Sequence, residues 1–335
     1  MCFNTSYRLN NRNRQCEANR ARDPIPAGRK GREQQMPLNG YTGGSLPSLL
    51  GLAVAALLVC STAQAAEPKL VVTTDPGSDP ESVTETPDGS LILGSAAKPV
   101  IYRAAKGETK AKVFIDVGAA EGNVSFLGVL ADGPTNTLWA CQIIGTGKNR
   151  HSILRSFDLT SGSPKFRWPL PGDINLCNDF VVGPDKALYI ADTFGSKIFR
   201  LKPGASEPEL LIEDRTLDGI DGITFLGSEL YVNNVISNNL YRVPLDAAGK
   251  AGAPVQIWPD RPIKGPDGMR AANGKLYLTE NRNGRASVVT VNGDQATVVT
   301  ILDGLTRPTA IEPVGDTLWV GDRANDKAIA IPMPK

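Results

Sequence analysis

Histidine is nearly absent from this sequence, and that scarcity excludes whole classes of catalytic site. The 335 residues contain a single histidine, His151. A zinc site built from several histidines therefore cannot form, and a Ser-His-Asp triad would depend on that one residue. Because His151 begins an apolar strand pattern, Ser152-Ile-Leu-Arg155, we interpret it as a surface or hydrogen-bonded residue rather than a catalyst.

An excess of charge of either sign is lacking as well. Lys and Arg number 36 against 35 Asp and Glu. Nucleic-acid and acidic-membrane partners require clustered positive charge, so neither is expected here. The stretch Gly145-Thr-Gly-Lys148 lacks the spacing of a phosphate-binding loop. The chain instead has 34 glycines and 25 prolines, which disfavour helix interiors and favour short strands joined by turns.

The first 65 residues differ in character from the rest. Residues 1–35 are polar and aperiodic, which predicts a disordered or untranslated extension. Residues 49–59 form an apolar run that is too short for a membrane span, and the small-residue site Ala63-Gln-Ala65 follows it. This pattern predicts a cleaved signal peptide over 36–65. Met36 is an alternative start, and a lipid anchor at Cys60 is disfavoured by the bulky Val59 before it.

Export predicts a periplasmic or secreted protein, the mature segment 66–335. Only Cys141 and Cys177 remain in that segment. They could pair in an oxidising compartment, although two cysteines also occur by chance in a domain of this size.

Internal repetition indicates the fold class. Six segments share a leucine followed by an aromatic or apolar residue, and they alternate apolar with small or polar positions as strands do. They begin at Leu91, Leu138, Leu188, Leu230, Leu276 and Leu318. Each is preceded by an apolar stretch and a turn containing Gly, Asp or Asn, and each is followed by a second strand pattern. Trp139 and Trp319 belong to these segments and are interpreted as core residues.

A fourth strand pattern follows in every repeat but the last. The stretch Lys69–Thr74 supplies a spare strand that can complete the last repeat and protect its edge. The sequence therefore predicts an all-β fold, a six-bladed β-propeller over residues 66–335, closed by the N-terminal strand. A β-sandwich with coincidental spacing is the alternative.

Counting back nine or ten positions from each repeat leucine finds the residue that begins the innermost strand of each blade. This register gives Glu81, Asn178, Asp221 and Asp267 in blades one, three, four and five. Blade six offers Pro308 or Thr309, and blade two a small or apolar residue around Phe126 to Gly128. Asp218 is a rival for Asp221, and an Asp before a Gly is also a common turn signal.

These four oxygen-bearing side chains predict a cation site on the propeller axis. Three facing carboxylates would repel each other unless a positive charge neutralised them. Oxygen ligands select a hard divalent cation, and we expect Ca²⁺, with Mg²⁺, Mn²⁺ or Zn²⁺ as alternatives. Four protein ligands leave positions for water or a substrate oxygen.

The set of Glu, Asn-Asp, Asp-Gly and Pro-Asp-Gly on blades one, three, four and five resembles the regucalcin/gluconolactonase family of the senescence marker protein type. The related squid phosphotriesterase-like enzyme and the paraoxonase propellers share this plan. The resemblance spans residues 69–335 and includes blade segments such as Leu188-Tyr-Ile-Ala-Asp-Thr193. It implies that Glu81, Asn178, Asp221 and Asp267 hold the metal, with Asp267 as general base or nucleophile and Asp179 orienting Asn178.

The resemblance implies a metal-dependent hydrolase of a lactone or related ester. We expect a monomer whose partner is that small molecule, with no membrane contact after the signal peptide is cleaved. Two positions depart from the family's pattern. Asp221 replaces a usual Asn, and Leu176 replaces the arginine that meets a sugar lactone. The alternatives are a non-catalytic exported propeller with a structural Ca²⁺ that serves as a binding scaffold, and a strictosidine-synthase-like or lyase chemistry.

Overall fold

Short antiparallel strands make up nearly all of the regular structure. A computed structural model describes residues 70–118, 122, 124–173 and 175–334. The predicted extension (1–35) and signal peptide (36–65) lie outside the described residues. Within the described part of the chain there are 24 strands, and the only helical pieces are four 3₁₀ turns, Gly133–Thr135, Gly147–Asn149, Arg215–Leu217 and Arg323–Asn325. No helix in that part is long and apolar enough to cross a membrane.

The strands fall into six sets of four, which we call units one to six. Unit one contains β2 (Val83–Glu85), β3 (Leu91–Gly94), β4 (Val100–Ala104) and β5 (Lys112–Asp116). Unit two contains β6 (Val124–Asp132), β7 (Thr137–Ile144), β8 (His151–Asp158) and β9 (Pro164–Pro169). Unit three contains β10 (Cys177–Val182), β11 (Leu188–Asp192), β12 (Lys197–Leu201) and β13 (Glu209–Glu213).

Units four and five share one eight-stranded sheet. Unit four contains β14 (Ile220–Leu226), β15 (Glu229–Asn234), β16 (Asn239–Val243) and β17 (Val255–Pro259). Unit five contains β18 (Pro266–Ala272), β19 (Lys275–Glu280), β20 (Arg285–Asn292) and β21 (Gln295–Leu302). A short parallel pairing of β17 with β21, from Trp258 to Gln295, joins their outer edges. Unit six contains β22 (Pro308–Val314), β23 (Thr317–Asp322), β24 (Lys327–Pro332) and, from the other end of the chain, β1 (Leu70–Thr73).

The arrangement is that of an all-β propeller, as the repeats predicted. The first strands of consecutive units contact each other in turn, and β22 contacts β2, so the inner strands form a closed ring. The second strands are the most deeply buried, and β3 and β11 are buried along their whole length. The outer strands β5, β9 and β13 carry exposed charged residues, which protect an edge from pairing with another chain.

The hydrophobic core lies between the units rather than within one layer. Six large clusters of buried side chains each combine residues from two consecutive units. The cluster around Trp319 joins unit six to unit one, and the cluster with Trp139 at its border joins units two and three. Both tryptophans therefore belong to the core, as expected. Burial of apolar surface between neighbouring units holds the ring together.

The N-terminal strand closes the ring in the predicted way. Strand β1 pairs antiparallel with β24, with Leu70 opposite Ala330 and Thr73 opposite Lys327. The loop that follows β1 is fastened to Asp326. The carboxylate of Asp326 accepts hydrogen bonds from the backbone N–H groups of Gly77 (2.7 Å) and Asp79 (2.9 Å).

A disulfide joins two neighbouring units. Cys141 in β7 and Cys177 at the start of β10 are bonded, with their Cα atoms 5.3 Å apart. The sequence left this pairing open. The bond links unit two to the strand that carries Asn178, so it restricts the separation of these units near the axis.

Replacing Asp326 by alanine is expected to lower the free energy of unfolding by about 2 kcal/mol, because the N–H groups of Gly77 and Asp79 lose their acceptor and alanine tolerates a positive φ poorly. Asp326 has a φ of 49°. The control is Asp326→Asn, which accepts that φ and keeps one acceptor oxygen, and it should lose less than half as much. Urea unfolding followed by tryptophan fluorescence measures both. Wild-type stability in Asp326→Ala would show that closure does not depend on this contact.

Candidate metal and active site

A β-bulge interrupts the innermost strand of units two to six, and in units three to five it contains a predicted site residue. The fourth predicted residue, Glu81, lies just before β2 of unit one. In a bulge, two residues oppose one on the neighbouring strand, and a side chain is turned out of its regular direction. The register shifts lie between Phe126 and Val129, Cys177 and Phe180, Ile220 and Ile223, Pro266 and Met269, and Pro308 and Ala310. The bulges contain Gly128, Asn178, Asp221, Asp267 and Thr309, so they direct these residues to the channel.

The glycines after Asp221 and Asp267 are required for close approach rather than for a turn. A Cβ on Gly222 would lie 2.6 Å from the carbonyl oxygen of Asp267, and one on Gly268 would lie 2.5 Å from that of Thr309. Both glycines lie inside strands. The Asp-Gly pairs are therefore not turn formers here, and they bring each inner strand against the next.

The four predicted residues line one cavity on the propeller axis. Its walls are formed by Glu81, Ser82, Val83, Gly128, Asn178, Asp179, Asp221, Asp267, Gly268, Arg270, Thr309, Ala310 and Ile311. Asp218, the rival for Asp221, is exposed at the end of a 3₁₀ turn instead. The space open to the centre of a water-sized particle is about 20 Å³, which is enough for an ion or one to two waters but not for a sugar ring.

Amide side chains hold the two aspartates in place. Asn178 Nδ2 donates to Asp221 Oδ2 at 2.8 Å, and Asn281 Nδ2 donates to Asp267 Oδ2 at 2.9 Å. Asn233 Nδ2 donates to the carbonyl oxygen of Asp267 at 2.6 Å. These contacts come from units three, four and five, so the orientation of each carboxylate is set by a neighbouring side chain near the axis.

Burial and mutual repulsion raise the pKa values of the axial carboxyls. Burial raises the pKa of Asp267 well above its usual range, and the charges of Asp221 and Glu81 raise it further. Burial likewise raises the pKa of Asp221, followed by the charges of Glu81 and Asp179. Burial also raises the pKa of Glu81, against the opposing effect of Arg323. These carboxyls therefore bind protons more readily than exposed carboxyls do.

Glu81 is held from unit six. Arg323 Nη1 donates to Glu81 Oε2, and the Arg323 Nη2 atom donates to Asp79 Oδ2 at 2.6 Å. The hydroxyl of Thr309 donates to the backbone oxygen of Glu81 at 2.9 Å. Thr309 is thus the unit-six residue at this level of the channel, as the register indicated.

A second ion network crosses the channel beside the cavity. Arg270 donates from Nη1 and Nη2 to the two oxygens of Asp179 at 2.7 and 2.9 Å. Its Nε lies 3.3 Å from Glu312, which accepts a hydrogen bond from Thr84 at 3.2 Å. The predicted contact of Asp179 with Asn178 is replaced by this pairing, because the Asp179 oxygens face Arg270. Asp179 therefore connects unit three to units five, six and one.

The donor set matches a hard cation in chemistry and charge. Carboxylate and amide oxygens are the ligands that Ca²⁺ and Mg²⁺ prefer. The two networks together contain more acids than arginines, namely Asp79, Glu81, Asp179, Asp221, Asp267 and Glu312 against Arg270 and Arg323. Among the described residues, however, no three His, Cys, Asp or Glu side chains already form a group able to hold a metal ion. Of the four proposed ligands, Glu81 is the one whose carboxylate pairs with a guanidinium, that of Arg323.

Several residues at this site were missed by the sequence register. Asn281 and Arg323 each follow their repeat leucine by five positions, so the same repeat read forward would have found them. Arg270 follows Asp267 by three positions on the same inner strand, β18. Polar residues are common in the turns that follow strands, so Asn281 and Arg323 gave no distinct signal in the sequence.

Comparison with known proteins supports the fold. No protein-family model and no curated protein sequence matches the chain. A solved gluconolactonase from Xanthomonas campestris is similar at 15% identity, covering 81% of this chain and 97% of that chain, with a TM-score of 0.57. A PQQ-bound aldose sugar dehydrogenase from Streptomyces coelicolor is 17% identical over 81% and 98%, with a TM-score of 0.57.

A virginiamycin B lyase from Staphylococcus aureus, solved as a catalytically inactive histidine-to-alanine variant, is also similar. It is 18% identical, covers 78% of this chain and 82% of that chain, and has a TM-score of 0.56. Proteins with a hydrolytic, a redox and a lyase description thus have similar structures. At such identities the likeness shows the propeller fold and leaves the activity to be argued from the site.

Burial raises the pKa of Glu312 to about 7 despite the attraction of Arg270. The folded protein thus retains a proton that the unfolded chain loses near 4.5. The free energy of unfolding should therefore fall as the pH rises from about 4.5 to about 7, by at most about 3 kcal/mol from this group. Glu312→Gln cannot lose the proton, so it should gain stability relative to the wild type across that window.

Urea unfolding at pH 5, 6, 7 and 8 measures this difference. The control is Glu209→Gln, since hydrogen bonds from Lys202 and Arg200 lower the pKa of the exposed Glu209. That variant should show no such gain. A constant difference between wild type and Glu312→Gln across the four pH values would contradict the expectation.

Proposed function

We propose that this protein is an exported, monomeric, divalent-metal-dependent hydrolase of a lactone or related ester. The observation that carries the proposal is the convergence of Glu81, Asn178, Asp221 and Asp267, from four different units, on one axial cavity. Such a set of oxygen donors fits Ca²⁺ first, with Mg²⁺ or Mn²⁺ as alternatives. The fold similarity to a gluconolactonase is compatible with this chemistry.

The roles of the residues follow from their contacts. Glu81, Asn178, Asp221 and Asp267 would hold the cation, which when bound supplies positive charge to polarise a carbonyl oxygen. Asp267 is our candidate for general base or nucleophile, because its side chain lines the same cavity as the proposed cation. Asn281 fixes the direction of the Asp267 carboxylate.

The remaining side chains shape the cavity and hold its walls. Asp179 and Arg270 form one wall by their paired contact, and the small cavity keeps the bulk of a substrate at its mouth. Leu176 is buried and donates its backbone N–H to Asp192. It provides no cationic contact for a sugar hydroxyl, so the proposal does not extend to a sugar lactone.

A non-catalytic exported scaffold with a structural Ca²⁺ is the second candidate. The observation in its favour is the small cavity, which has room for an ion but not for a substrate ring. A lyase has less support. The similar virginiamycin B lyase is inactive as a histidine variant, whereas His151 of this chain is exposed at the start of β8.

The test is proton release from a panel of lactones and esters by the purified full chain, with Ca²⁺, with Mn²⁺ and with EDTA. We expect turnover with a divalent cation and its loss in EDTA. Asp267→Ala should reduce the rate by about 100-fold or more, as expected for removal of a general base or nucleophile.

Asp246→Ala is the control for Asp267→Ala. Asp246 accepts turn hydrogen bonds from Ala248 and Lys250 on an exposed loop, so its replacement should leave the rate unchanged. Equal rates with metal and with EDTA would remove the hydrolase proposal. Ca²⁺-dependent melting without turnover on any substrate would support the scaffold instead.

A further inference from the structure

Arg323 is the arginine that pairs with Glu81, one of the proposed metal ligands. It lies in the 3₁₀ turn that follows β23, and its side chain is 17% exposed. Its Nε and Nη2 atoms donate to the two oxygens of Asp79, and Nη1 donates to Glu81. The guanidinium is therefore fixed between two acids of the loop that joins β1 to β2.

This pairing takes up one oxygen of a proposed metal ligand. Glu81 lines the cavity together with Asp221 and Asp267, and its Oε2 atom is the acceptor for Arg323. A guanidinium and a divalent cation neutralise the same charge, and they repel each other at short distance, most strongly where water is scarce. Both cannot make full use of the Glu81 carboxylate at once.

We propose that Arg323 competes with the divalent cation for Glu81 and so determines how tightly the site binds it. This inference rests on the cation site of the proposed function. Cation binding requires the Glu81–Arg323 pair to open. The bidentate contact with Asp79 then keeps the guanidinium paired, so the arginine is not left as an uncompensated buried charge.

No other cation in the described part of the chain takes this position among the contacts of Glu81. Arg307 is close enough for its charge to act on Glu81, but its side chain is exposed, and solvent screens it. Arg270 is engaged by Asp179 and Glu312. The competition for Glu81 is thus specific to Arg323, which follows the end of β23.

Calorimetric titration of the full chain with Ca²⁺ and with Mn²⁺ tests the inference. Arg323→Gln should lower the dissociation constant by about tenfold or more, because both the competitor and a repelling charge are removed. Arg307→Gln is the matched control, an exposed arginine near the same acid, and it should change the constant by less than about twofold.

The double variant Asp79→Asn with Arg323→Gln separates competition from net charge. It removes one acid and one base, so the local charge equals that of the wild type, while Glu81 is still released. It should also bind the cation more tightly, by about threefold or more on the same Coulombic argument. It serves equally if Arg323→Gln alone does not fold, since Asp79 is then not left as an unpaired acid. The rise in melting temperature with added cation provides a second readout.

The outcomes separate this inference from the proposed function. Cation binding by the wild type with equal or weaker binding by the double variant would overturn the competition and leave the metal site standing. Binding by none of the proteins would overturn both. Tighter binding by both variants but unchanged affinity in Arg307→Gln would establish Arg323 as the residue that sets the affinity.

Discussion

Buried negative charge on the axis is the constraint on which the site depends. Glu81, Asp221 and Asp267 lie where neighbouring strands leave little room for water, and carboxylates in such a place must be neutralised. A proton, an arginine or a bound cation can each do this. The raised pKa values reflect the first, the Glu81–Arg323 pair is the second, and the proposed function requires the third. The chemistry of the site is a competition among these three.

The fold creates this charge density through local departures from regular sheet structure. The bulges of units three to six each turn a polar residue to the axis. The glycines after Asp221 and Asp267 let the next strand approach within a distance that no side chain would permit. The close approach expels water and thereby strengthens every electrostatic interaction in the channel. Packing and electrostatics at the axis therefore have one structural cause.

The sequence predicted the fold and the four axial residues because both follow from the repeat. The start of each innermost strand and the repeat leucine after it are separated by one hairpin of nearly constant length, so counting back found Glu81, Asn178, Asp221 and Asp267. Arg323 could be found only by reading the same repeat forward. Its partner Asp79 is 244 residues away in sequence, and that pairing follows from ring closure rather than from a local pattern.

The pairing of Asp179 with Arg270 and Glu312 was beyond sequence reasoning for a related reason. Asp179 follows Asn178 directly, which indicated a local role beside it. The choice between a neighbour in sequence and an arginine in another unit depends on side-chain direction within a bulge. Alternation along a strand does not specify that direction, because a bulge interrupts the alternation. The roles of residues at such points need coordinates.

Closure of the ring and assembly of the site depend on the same short segment. Asp326 fastens the loop after β1 through the N–H groups of Gly77 and Asp79, and Arg323 holds the side chains of Asp79 and Glu81 in that loop. A ring that failed to close would leave Glu81 without its position at the axis. Glu81 comes from unit one, and the other three proposed ligands come from units three to five. A cation bound by all four would therefore connect unit one, next to the ring closure, with the units on the other side of the channel. Stability of the closed ring and affinity of the site are therefore coupled through Arg323.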